Sequence, residues 1–162
     1  MTWRRSVKAV GTFVVLVALH FTLRPILGWR VSMDFLVIAV LLTSVRVRPG
    51  GAALVGFITG LIADSIAPSS FGAGALAMTV VGFGASWLKA IFFADNVLLH
   101  AFYFFVGKWL FDFLYMLVGP RTGGMDLVTQ LLVWSPLAAI ATAVTGVLII
   151  LFFRNTLEPA TT

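Results

Sequence analysis

Long apolar runs alternate with short polar or Gly/Pro breaks along nearly the whole chain, with no sustained two-residue alternation and no internal repeat. That pattern predicts helices rather than strands. The first covers Lys8 to Leu23 and is expected to stop where Arg24-Pro25 breaks it. The second runs from Val31 to Val45 and is short, about 22 Å at about 1.5 Å per residue. Arg46 and Arg48 would snorkel at its end. Arg48-Pro49-Gly50-Gly51 reads as a tight turn, and a third helix follows from Ala52 to Ala67. Pro68-Ser69-Ser70 is the next break, then a fourth helix from Gly72 to Ala94, a turn at Asp95-Asn96, and a fifth helix from Val97 to Val118. The longest polar loop is Gly119 to Asp126, before a sixth helix from Leu127 to Phe153 that carries Pro136 in its first third. For the second to fourth helices a re-entrant hairpin is the competing reading.

Composition turns this pattern into a membrane assignment. The chain is 60% hydrophobic and 10% charged, against roughly 25% charged for an average soluble domain. A soluble domain of 162 residues needs a polar surface that this sequence does not supply. A spanning helix uses about 20 residues, so six helices consume nearly the whole of residues 1–162. The expectation is a single all-α domain: a polytopic membrane protein built as a six-transmembrane-helix bundle, with little chain left for an extramembrane catalytic head. Arg4, Arg5 and Lys8 ahead of an apolar run resemble a signal peptide, but no small-x-small cleavage site follows, so the first helix is expected to be retained.

The formal charge of +5 comes from basic residues scattered singly. That reads as membrane topology, not as a nucleic-acid footprint. With six spans both termini share one side, which holds Arg4, Arg5, Lys8, Arg46, Arg48, Lys89 and Arg154, while the other side holds Arg24, Arg30 and Arg121. Seven against three places both termini in the cytoplasm. Trp3, Trp29, Trp87, Trp109 and Trp134 fall partly at expected interfaces, as an aromatic belt does.

Candidate chemistry is sparse. The chain has no cysteine, which excludes disulfides, thiolate metal sites and Cys nucleophiles. His20 and His100 lie on different helices, and no carboxylate sits at ligand spacing beside either, so no metal or cofactor is expected. Catalytic sequence motifs are also missing. In the middle of the fifth helix, Lys108 and Asp112 stand at i and i+4 and predict an intramembrane ion pair, since an isolated charge there costs about 2.5–3.5 kcal/mol; a proton path, a ligand contact or a partner contact is the competing reading. In the third helix, Ala52, Gly56, Gly60 and Asp64 recur every four residues and form one small-residue face. Two readings stand open for it: close packing within the chain, or a seam for another protein's helix. Similar stripes occur at Gly82, Ser86 and Ala90 and at Ala138, Thr142 and Gly146. Asp64 either sits in interfacial water or pairs with a basic group.

The stretch Met33 to Lys89 resembles the MreD rod shape-determining family. The matching residues are Asp34-Phe35-Leu36-Val37, the basic/Pro/Gly turn at Arg46 to Gly51, the run Gly56-Phe57-Ile58-Thr59-Gly60-Leu61-Ile62-Ala63-Asp64, and Phe71-Gly72 seven residues on. Where the family usually has Pro-Asp, this chain has Met33-Asp34. The resemblance implies a bacterial inner-membrane protein without enzymatic activity, a scaffold of the cell-wall elongation machinery that helps maintain rod shape. It would bind MreC and work beside RodA, a class B penicillin-binding transpeptidase and, indirectly, MreB filaments. It offers Gly56, Gly60, Asp64, Asp34, Phe71 and Gly72 as candidate partner-binding residues. The family is similar in fold to the S components of energy-coupling-factor transporters, so a small-solute-binding transporter subunit is the alternative. The first helix here lacks the A-x-x-x-A coupling motif such subunits use.

Overall fold

The computed structural model describes residues 2–27, 33–66, 70–89, 96–119 and 128–157. Among these residues the chain is all helical, in six helices: α1 (Thr2–Leu27), α2 (Phe35–Ser44), α3 (Pro49–Asp64), α4 (Ala73–Trp87), α5 (Val97–Val118) and α6 (Ser135–Leu157). A π-helical turn, Gln130–Trp134, leads into α6. It ends just before Pro136, whose missing N–H disturbs the regular ladder.

Several ends differ from the sequence expectation for physical reasons. Helix α1 does not stop at Arg24-Pro25 but continues to Leu27. A proline this close to the end removes one hydrogen bond from the last turn and leaves the rest of the helix intact. Helix α2 begins at Phe35, not Val31, because Asp34 caps it by accepting a hydrogen bond from the Val37 N–H at 3.3 Å. Helix α3 starts earlier than Ala52, since Pro49 at the first helical position is already set to a helical φ. Helix α4 ends at Trp87, well before Ala94. Helix α5 keeps the expected bounds, with Asn96 accepting from the Leu98 N–H at 2.9 Å. The loop expected at Gly119 to Asp126 and the turns at Pro68-Ser69 and Asp95 lie wholly or largely outside the described residues.

Helix α2 is the hub. All of Phe35–Ser44 except Thr43 is buried, and α2 packs against each of the other five helices. It is apolar on every side, as a helix enclosed by others must be. The periphery is apolar too. Leu54, Phe57, Ile58 and Ile62 on α3, Leu76, Val80 and Phe83 on α4, and Ile140, Val144, Leu148 and Leu151 on α6 are all exposed. Conversely His20, Ser44, Thr59, Asp64, Ser86, Lys108, Ser135 and Thr142 are buried. Hydrocarbon outside and polar groups inside is the arrangement that lipid solvent selects. Helix α5 and the Gln130–Phe152 segment are also long and apolar enough to cross a membrane.

Helices α3 and α4 form the most extensive helix pair. A Cβ on Gly56 would strike the Met78 carbonyl, and one on Gly60 would lie 2.6 Å from the Ala75 backbone nitrogen. From the other side, a Cβ on Gly82 would come within 2.6 Å of the Ala52 carbonyl oxygen. The two backbones are thus in direct contact, and dispersion replaces the missing hydrophobic drive.

Candidate functional site: a buried charge network

Four ionisable side chains meet inside the bundle. Lys108, on α5, is 6% exposed and directs its Nζ to Asp112 Oδ1 at 2.6 Å, the expected i,i+4 pair. The same ammonium donates to Asp34 Oδ2 at 3.1 Å. The other oxygen of Asp34 lies 3.6 Å from His20 Nδ1 on α1. The backbone N–H of Asp34 donates to the Thr142 hydroxyl of α6 at 3.2 Å, and Ser135, also on α6, turns a buried hydroxyl toward Asp112. One residue at the start of the central helix, Asp34, therefore joins α1 and α5 through its carboxylate and α6 through its backbone N–H. The Lys108 ammonium also stands 5.0 Å from the Phe111 ring centroid, a cation–π contact.

This network extends the sequence reading and corrects part of it. The Lys108–Asp112 pair was legible from its spacing, but its third and fourth members were not. Asp34 was read as a motif residue and a candidate for partner binding, and His20 as a histidine with no carboxylate at ligand spacing. The carboxylate is fourteen residues away in sequence and adjacent in space. The available signal was the position of the charges: Asp34, Asp64 and Asp112 lie within three different predicted spans, and only Asp112 has a lysine, Lys108, at i,i+4 spacing on its own helix.

The remaining candidate residues cluster at the end of α3. Asp64 is 3% exposed and accepts hydrogen bonds from the Gly72 N–H at 2.9 Å and the Ala75 N–H at 3.0 Å. It supplies the side-chain cap that Gly72, at the N-cap of α4, lacks. Gly72 has φ +95°, a conformation that L side chains rarely adopt. Gly74 leaves the space the carboxylate fills, since a Cβ there would strike Asp64 Oδ1. Asp64 thus pairs with backbone donors, a third solution beside the two anticipated for it. Phe71, by contrast, is 62% exposed, and Ile66, just past the end of α3, is 68% exposed. Below this turn Ser70 and Tyr115 share a hydrogen bond of 2.7 Å between hydroxyls, tying it to α5.

So the structure brings Asp34, Lys108 and Asp112 into one site and places Asp64 and Gly72 in another, with Gly56 and Gly60 covered by α4. The other two small stripes are used within the chain as well. Gly82 meets Ala52, Ser86 donates to the Val47 carbonyl at 2.9 Å, and Gly146 packs on the Phe104 ring at 2.8 Å from the position of an added Cβ. Ala90 lies outside the described residues. Among the described residues no group of three or more His, Cys, Asp or Glu is placed to hold a metal ion.

Comparison with known proteins gives one match. The family model described as rod shape-determining protein MreD matches residues 4–156 of this chain. No curated protein and no solved structure matches it.

Proposed function

The chain belongs to the rod shape-determining MreD family, and from that premise we propose that it is a non-enzymatic membrane scaffold of the cell-wall elongation machinery. It acts in the bacterial inner membrane, where all six helices cross the bilayer and both termini face the cytoplasm. It binds MreC and, directly or through MreC, RodA and a class B penicillin-binding transpeptidase. The observation that carries this reading is the family match over nearly the whole chain. Its physical support is the inside-out bundle, which keeps polar groups such as Lys108, Asp112 and Asp64 paired in its interior and turns apolar faces outward.

Of the six candidate partner-binding residues, Gly56, Gly60, Asp64 and Asp34 are engaged inside the chain. A partner helix reaching the α3 seam would have to displace α4. We therefore assign the MreC contact to the turn that exposes Ile66 and Phe71, with Gly72 fixing its shape. Co-purification of MreC with the Phe71→Ala and Ile66→Ser variants, alongside membrane abundance, tests this. The expected outcome is normal abundance with MreC recovery reduced about tenfold, as loss of an aromatic anchor of roughly 1.4 kcal/mol or more produces. Full MreC recovery with both variants moves the contact to α1 or α6. A purified chain that binds a vitamin-like solute and never MreC would instead support the transporter-subunit reading. Reporter fusions at the C-terminus that are active only outside the cytoplasm would overturn the topology.

A further inference from the structure

The buried network is not electrically balanced. Among the described side chains, Asp34 and Asp112 contribute two negative charges and Lys108 one positive, leaving a formal charge of −1 where both carboxylates are only 13% exposed. A single charge in such a place is costly. The groups facing the network come from four elements: His20 from α1, Asp34 from the start of α2, Lys108 and Asp112 from α5, and the hydroxyls of Thr142 and Ser135 from α6. Among the described residues, the group placed to neutralise it is the His20 imidazole, 5% exposed and 3.6 Å from the Asp34 oxygen that Lys108 does not use.

We infer that this network is a proton-binding site: one exchangeable proton resides on His20, completes a neutral His–Asp–Lys–Asp array, and ties α1 to the rest of the bundle. Helix α1 packs chiefly on α2, and the imidazolium–Asp34 contact links it through Asp34 to α5 and α6. Release of the proton leaves the array at −1 and removes the attraction that holds His20 to Asp34. Proton occupancy thereby sets how firmly the first helix is docked, whichever partner the bundle engages.

The chain has two histidines, which makes the test clean. His100 lies in the first turn of α5, outside the network. In His100→Gln, His20 is the sole histidine, and ring-carbon and ring-nitrogen NMR of the full chain in lipid nanodiscs (carrying no histidine tag) reads its protonation directly. The expected result is an imidazolium signal at about pH 7, and a thermal midpoint that falls by roughly 5 °C as pH rises from about 5.5 to 8 in both wild type and His100→Gln. His20→Gln should flatten this dependence. Because His20→Gln itself can lose the fold, the NMR measurement stands as an independent readout. A neutral imidazole at about pH 6 in His100→Gln overturns the proposal. So does a pH-independent wild type. Retention of the full dependence in His20→Gln with its loss in Asp112→Asn places the proton on the α5 carboxylate instead, and the assignment to His20 falls.

Discussion

At the scale of single residues, His20, Asp34, Lys108 and Asp112 are spent on one another. Lys108 is shared by two carboxylates on different elements, at 2.6 and 3.1 Å. In an interior of low polarity such a group is worth little relative to an apolar replacement, yet breaking it by removing one member strands the others. Lys108→Met leaves two buried carboxylates without their shared cation, and should destabilise the folded protein by about 3–5 kcal/mol. Lys108→Met with Asp112→Leu keeps Asp34 opposite His20 and should recover much of that loss. Thermal unfolding of the detergent-purified single and double variants checks it, and simple additivity of the two losses would show that the side chains do not form one unit. Half of this site was legible in the sequence. The i,i+4 spacing gives the α5 pair because its geometry is fixed by a single helix. Asp34 and His20 were not assignable, because their distance depends on how α1, α2 and α5 pack. The motif residue Asp64 was legible as important but not for its reason, since capping of α4 depends on the turn that brings residues 72–75 back over it.

At the scale of elements, the glycines of α3 and α4 decide how close the helices come. Gly60 and Gly84 have the same chemistry and opposite surroundings. A Cβ on Gly60 meets the Ala75 backbone, while one on Gly84 meets nothing within 4 Å. Gly60→Ala should force the pair apart and lower stability by about 1–3 kcal/mol, whereas Gly84→Ala should be neutral or stabilising by roughly 0.5–1 kcal/mol through helix propensity. Membrane abundance and thermal midpoint distinguish them, and equal losses in both variants would show that α4 does not lie against α3 in this register. The helices themselves could be located from the apolar runs, but their ends depended on capping chemistry. Asp34 and Pro49 set starts that a hydropathy pattern does not resolve. Pro25 shows the converse, a breaker tolerated because it falls in the last turn. The stripe in α3 was correctly read as a close-approach face, and its occupant is α4 of the same chain.

At the scale of the molecule, the outer surface is the test of the solvent. Ile58, near the middle of α3, is half exposed among Leu54, Phe57 and Ile62. On a water-soluble bundle Ile58→Lys would be harmless. In a bilayer it should cost about 2.5–3.5 kcal/mol and reduce the membrane-inserted fraction, measured as the yield of folded chain in isolated membranes. An unchanged yield would place that face against water or protein instead of lipid. The sequence by itself pointed to the class of this protein: long apolar runs and the scarcity of charge favour an all-helical membrane protein, because hydropathy acts locally and needs no knowledge of neighbours. It also pointed to the family, through the glycines, aspartate and turn between Met33 and Lys89, and the family model matches residues 4–156. Only the tertiary structure decided what those residues do. It made α2 the enclosed centre, laid α4 over the α3 stripe, and turned Asp64 into a helix cap. It joined His20 and Asp34 to the Lys108–Asp112 pair. Such contacts arise between segments far apart in sequence, where the packing of whole helices fixes the distances that composition and spacing leave free.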